Sequence, residues 1–181
     1  YERWGLSKYN SGDCSGATED LKSAIQRGSE NPELNEKLGT ALFKANNFKE
    51  SFSYLLKAAE ANTSSVVLAE MTGIAAYQTK NYGKAVEFLT VAIDGNSTNK
   101  ELFTCRGIAR SNTGDDAGAI EDLKKAAAAG TSEYEVYRLL GDSYFKQDDF
   151  QNAITTYDKA VALKADDHVV IDNRGKAKMM L

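Results

Sequence analysis

The chain has 181 residues, 42% of them hydrophobic and 27% charged, with a net charge of −4. Its length and apolar content suffice for a folded core, while the acidic balance excludes a sequence-independent nucleic-acid binder, which needs a basic surface to displace counterions. Two cysteines, Cys14 and Cys105, are too few for a disulfide framework, and no apolar run nears the ~20 residues that direct membrane insertion requires.

Gly5, Gly39, Gly73, Gly107, Gly141 and Gly175 stand 34 residues apart. Twelve residues after the first five come Ala17, Ser51, Ala85, Ala119 and Ala153, then Leu21, Leu55, Leu89, Leu123 and Tyr157, then Ala24, Ala58, Ala92, Ala126 and Ala160. Columns in phase over five units mark an internal repeat, and a period in this range means a solenoid or array.

In chain order, each unit reads as two helices joined by a short turn. The first opens in mid-pattern at Tyr1 and breaks at Gly12-Asp13 before its second helix. In the next, Asn31-Pro32 places a proline at the first helical position, where its missing N–H costs nothing. Leu34, Leu38, Ala41 and Leu42 then follow at spacings of three and four, which predicts an amphipathic helix. Asn46-Asn47 interrupts it, and Phe48, Ser51, Phe52, Leu55, Leu56 and Ala59 begin another. Lys80-Asn81, Gly114-Asp115 and Asp148-Asp149 mark the same interruption further on, as caps or tight turns. Thr98 with Glu101, and Ser132 with Glu135, fit the capping box and predict two helix starts. His168, beside Asp166 and Asp167, falls in the cap region of a final helix.

The expected organisation is one domain with repeats at 1–31, 32–65, 66–99, 100–133 and 134–167 and a last helix over 168–181. Because the pattern is under way at Tyr1 and stops mid-unit at Leu181, we expect a piece of a longer protein. Glycine on each first helix and alanine on each second remove bulk where two backbones approach, and Leu21, Leu55, Leu89 and Leu123 are expected to fill the space between units. The predicted fold is all-α, a right-handed stack with no sheet.

This 34-residue helix–turn–helix unit resembles the tetratricopeptide repeat. The likeness is strongest over 137–165, where Tyr137, Leu140, Gly141, Tyr144, Ala153, Tyr157 and Ala160 stand where that family expects them, and it runs through all 181 residues. Two departures stand out. The usual closing proline is replaced by Ser29, Thr63, Ser97, Thr131 and Ala165, and Arg106 and Arg174 occupy the column of Trp4, Leu38 and Leu140.

The resemblance implies a right-handed superhelical solenoid of five repeats plus one extra helix. It also implies a binding scaffold whose first helices line a concave groove for a partner's peptide or helix. By the family's geometry, the residues four after the glycine face that groove: Tyr9, Phe43, Tyr77, Ser111 and Phe145. Among the charged groove positions are Glu36, Glu70, Arg138 and Asp142. The candidate partner-binding residues are therefore Tyr9, Phe43, Tyr77, Phe145, Glu36, Glu70, Arg138 and Asp142. Rings as anchors and carboxylates as steering groups suit a basic or apolar segment.

Two alternatives stay open: the rings can pack between helices, and Arg138 with Asp142, four apart, can simply pair on a helix surface. The family's carboxylate clamp for acidic chaperone tails is absent. It wants lysine three before the glycine and asparagine one after, whereas this chain has Glu2, Glu36, Glu70, Thr104, Arg138 and Asp172 at the first offset and no asparagine at the second.

No catalytic constellation is visible. The lone His168 cannot supply a multi-histidine metal site, and no Gly-x-x-x-x-Gly-Lys phosphate loop occurs. We expect a protein–protein interaction scaffold with no cofactor, no metal and no nucleic-acid partner. Two other roles remain open. One is self-association through apolar ends carrying Trp4, Ile171, Met179 and Met180. The other is a spacer arm of a larger enzyme or of a secretion or membrane complex, with the activity outside these residues.

Overall fold

A computed structural model describes residues 1–181 as eleven α-helices with no strand. They are α1 Glu2–Asn10, α2 Cys14–Gln26, α3 Pro32–Lys44, α4 Phe48–Ala61, α5 Val66–Gln78 and α6 Tyr82–Asp94, then α7 Glu101–Thr113, α8 Asp116–Ala128, α9 Tyr134–Lys146, α10 Phe150–Leu163 and α11 His168–Met179. The second helix of every repeat starts 34 residues after the last one, and one backbone device sets that period. Seven residues after each glycine, Gly12, Asn46, Lys80, Gly114 and Asp148 all take a left-handed φ of 58–88°. Asparagine and aspartate tolerate that conformation better than most residues with a Cβ; Lys80 is the exception in the column. The next residue is always Asp or Asn at the N-cap. Asp13, Asp115 and Asp149 accept a hydrogen bond from the N–H three residues on, at 2.9, 3.0 and 3.2 Å.

Exits from the second helices come in two forms. After α2, α6 and α8 the chain turns through left-handed Gly28, Asn96 and Gly130. The N–H groups of Ser29, Ser97 and Thr131 then reach back to the carbonyls of Ala24, Ala92 and Ala126, a Schellman closure. After α4 and α10, each one residue longer, it leaves through extended Asn62 and Lys164.

Two expected starts are corrected. Thr98–Glu101 and Ser132–Glu135 form no capping box: α7 begins at Glu101 and α9 at Tyr134, and neither has a side-chain capping bond. Asn99 Oδ1 accepts from the Glu101 N–H at 3.0 Å and Thr131 Oγ1 from the Glu133 N–H at 3.2 Å instead. Fully buried Leu102 and Val136 fix where these helices enter the core. Asn99 and Thr131, each two residues before the N–H they serve, then take the place that Thr98 and Ser132 were expected to fill. Pro32 and His168 lie where the sequence places them, as first residues of α3 and α11 behind the capping side chains of Asn31 and Asp167.

The helices gather into two compact units, residues 1–98 and 99–181. In the first, α1, α3 and α5 pair with α2, α4 and α6; α2 and α4 also pack on the next first helix, and α1, α3 and α5 touch in sequence. The second unit repeats the scheme with α7–α8, α9–α10 and α11. Inside each pair the glycine column does what its spacing implies. A Cβ added at Gly5, Gly39, Gly73, Gly107 or Gly141 would lie 2.6–3.0 Å from Leu21, Leu55, Leu89, Leu123 or Tyr157, all fully buried. Ser51, which replaces alanine in its column, is accommodated by donating its buried hydroxyl to the Gly39 carbonyl at 2.8 Å.

Candidate functional site

In the first unit, Tyr9, Phe43 and Tyr77 occupy the last turns of α1, α3 and α5 and are half-buried. Two of them lean on the ring that opens the following helix. Phe43 meets Phe48 edge-on at 5.4 Å, and Tyr77 meets Tyr82 at 6.5 Å. Where that helix opens with Cys14, Tyr9 is covered instead by the ammonium groups of Lys37 and Lys44, at 5.6 and 5.7 Å from its ring. Phe43 and Tyr77 are thus held by a ring of their own repeat and Tyr9 by lysines of the next one, yet all three stay partly exposed, so packing and exposure coexist at this offset.

The acids of this unit are partly committed. Glu70 accepts a 2.7 Å hydrogen bond from Ser97. Glu2, in the same column, accepts from Asn31 at 2.6 Å and Ser29 at 2.8 Å, and these bonds, Asn31's first, hold its carboxyl below the usual range. Ser29 and Ser97 stand where the closing proline is expected, and they tie the end of a second helix to the first helix of the same repeat. Glu36 makes only a 3.4 Å contact with Lys37. Sequence reading missed these ties, although Glu three before a glycine with Ser 24 after it was visible in both repeats.

In the second unit, Arg138 bridges Glu135 at 3.2 Å and Asp142 at 3.3 Å. Asp142 also accepts from the Tyr157 hydroxyl at 2.7 Å and from Asn173 at 3.2 Å, joining α9 to α10 and α11. Burial, and then this bond to a carboxylate, push the Tyr157 hydroxyl well above the ordinary tyrosine range. Phe145 packs edge-on against Phe150 at 5.5 Å. At the same offset one repeat earlier the ladder has only Ser111, and beside it lies a cleft of about 270 Å³ lined by Ser111, Leu139, Asp142, Phe145, Lys146 and Asn173. Phe145 and Asp142 therefore share one cleft, next to Arg138.

A buried ion network went unforeseen. Arg106, known from sequence only as a departure, grips Asp122 through Nε at 2.7 Å and Nη2 at 2.8 Å, and Arg110 adds a third bond at 2.8 Å. Asp122 is fully buried. Lys8 and Asp20 occupy the columns of Arg110 and Asp122 and pair at 2.7 Å. That repeated spacing was the available signal. The network holds α7 and α8 together.

No group of three or more histidine, cysteine or carboxylate side chains converges as a metal would require, and no helix is long and apolar enough to cross a membrane. A sequence profile described as tetratricopeptide repeat matches residues 2–66 and 106–168, the greater part of the chain. The chain belongs to the tetratricopeptide-repeat family. A general protein-binding role comes with that membership.

Among solved structures, MamA from MSR-1 superposes with a TM-score of 0.69 at 24% identity, covering 91% of this chain and 95% of that one. MamA from AMB-1 gives 0.71 at 24% identity, over 91% and 96%. YrrB, described as a TPR protein with an unusual peptide-binding site, gives 0.70 at 16% identity, over 96% and 89%. Identities this low show a shared fold and nothing more. No curated protein matches the chain in sequence.

Proposed function

We propose that these tetratricopeptide repeats form an interaction scaffold that takes a peptide or helix of a partner protein along the last turns of its first helices. The observation that carries this reading is the row of Tyr9, Phe43 and Tyr77, half-exposed rings at one offset on three successive first helices. A ring braced on one edge offers a large apolar contact with little side-chain entropy left to lose, which is how interface anchors work. In the second unit, Phe145 beside the Ser111 cleft supplies the same combination of ring and recess. Because Glu70 and Asp142 already accept internal hydrogen bonds, the rings provide the grip. Glu36 and the outer edges of those acids then favour an apolar or basic segment. YrrB's described peptide-binding site lends support that this fold accommodates a peptide.

The test is an affinity capture with the chain as bait beside its Tyr77→Ala, Phe145→Ala variant, whose helicity is checked by circular dichroism. A partner held by the first and lost by the still-folded second supports the reading. Equal retention on both baits overturns it.

Self-association is a second reading, favoured by the exposure of Trp4 (71%), Met179 (81%) and Met180 (61%). Sedimentation over a wide concentration range checks it, and a monomer throughout removes it.

A further inference from the structure

A second cleft, of about 280 Å³, lies in the same unit as Phe145 but shares no residue with the one beside it. Lys124 of α8, Tyr137 and Tyr144 of α9, and Asn152, Thr156 and Lys159 of α10 line it, and no acid does. Each lysine is steadied by a ring: the Lys124 ammonium stands 5.2 Å from the Tyr144 centroid and that of Lys159 5.6 Å from Tyr137. Neither lysine forms an ion pair, and the acid next to Lys159, Asp158, is taken by Arg174 at 2.8 Å.

Thr156 adds an independent sign. It is only 8% exposed and lines the cleft, yet its hydroxyl has no hydrogen-bond partner. Nearby Ser143 and Thr155 both donate to the carbonyl four residues back. That hydroxyl opens into the cleft rather than being sealed in the core, so a bound acceptor can take the place of the solvent it otherwise meets.

Two unpaired ammonium groups and a free hydroxyl call for a ligand that is an acceptor and an anion. The floor, with Leu140 and Ala127, is apolar and suits the methylene stem of a side chain, which inorganic phosphate lacks. We propose that this cleft binds a glutamate or aspartate side chain presented by an acidic segment of a partner protein. It is a second contact surface, independent of the ring-lined one, and it gives the scaffold a site of opposite electrostatic preference.

The experiment titrates the whole chain with a fluorescein-labelled oligoglutamate peptide and follows anisotropy. The Lys124→Glu, Lys159→Glu variant is compared with Lys49→Glu, Lys57→Glu, which makes the same charge change on exposed, unpaired lysines of α4. The cleft variant is expected to lose at least about tenfold in affinity, since close charge pairs dominate such contacts, while the control pair stays near wild type. Thr156→Val, nearly isosteric, weakens binding severalfold without lowering the melting temperature. Phe145→Ala leaves it unchanged, which separates this site from the ring-lined cleft. Equal losses in both lysine pairs, no loss in the cleft pair, or displacement of the peptide by an equal concentration of inorganic phosphate would each overturn the proposal.

Discussion

At the scale of single residues, the same amino acid in the same column has opposite consequences according to what faces it. A Cβ on Gly73 would stand 2.7 Å from the Leu89 side chain and 2.9 Å from its backbone nitrogen. Backbone cannot yield without parting the two helices, so Gly73→Ala costs about 1–3 kcal/mol. Gly175, one column member with nothing within 4 Å, gains helix propensity, and Gly175→Ala stabilises by up to about 1 kcal/mol. Urea denaturation of the two variants checks the pair of signs.

The buried Arg106–Asp122 pair behaves differently again. Asp122→Ala leaves Arg106 charged in the interior and costs about 3–5 kcal/mol, as broken buried pairs do. Replacing both by the residues of the second repeat, as Arg106→Leu with Asp122→Tyr after Leu38 and Tyr54, recovers most of that loss in the same assay. For the thiols, burial, with Glu133 and Glu101 adding repulsion, pushes Cys105 up to about 12. Iodoacetamide at mildly alkaline pH is expected to label half-buried Cys14 and spare Cys105, as read by mass spectrometry of the peptides.

At the scale of elements, the start of α11 shows how a cap ties two repeats together. Asp167 accepts from the N–H groups of Val169 and Val170 and from the Tyr134 hydroxyl of α9, at 3.0, 3.3 and 2.5 Å. Those bonds, the tyrosine's first, hold its carboxyl below the usual aspartate range. A carboxyl depressed in the folded state stabilises above its unfolded pKa and stops doing so as pH falls through the folded one. Asp167→Ala therefore lowers the melting temperature near neutral pH, and the gap begins to close as pH falls below the ordinary aspartate value of about 3.9 and vanishes only once pH has passed through the lower folded one. A constant gap across that range would mean the carboxylate charge is irrelevant to the cap.

Helix order and spacing were legible because the period is written in glycine, alanine and leucine, residues chosen by space alone. The two capping boxes were not. Their spacing is a local signal, and where α7 and α9 begin is decided by the burial of Leu102 and Val136 together with Asn99 and Thr131. Arg106 looked like a flaw in a column until Asp122, 16 residues away on the facing helix, supplied its partner.

For the molecule as a whole, the contact pattern limits how far a disturbance travels. Within each unit a helix meets its own partner, the neighbouring second helix and the adjacent first helix, with nothing longer in range. Stability in such an array is close to a sum of repeat and nearest-neighbour terms. This explains why fold was easier to read than binding. Packing selects the same residue at every period, whereas a site is made by the positions that break the period. The ring offset is regular, yet Ser111 interrupts it and opens a cleft, and in the column of Asp20 and Asp122 the fifth repeat carries Thr156 without a partner. No column average announces either one.

The same nearest-neighbour logic fixes one more outcome. Gly39→Ala would bring a Cβ within 2.9 Å of the Leu55 backbone nitrogen and loosen α3 against α4. Amide hydrogen exchange is then expected to rise in α3, α4 and the helices that touch them, α1, α2 and α5, and to stay unchanged in α9 and α10. Faster exchange throughout the chain would show that the repeats unfold as one cooperative body. In that case a ligand gripping any one repeat would stiffen them all, and the two clefts of the second unit could not act independently.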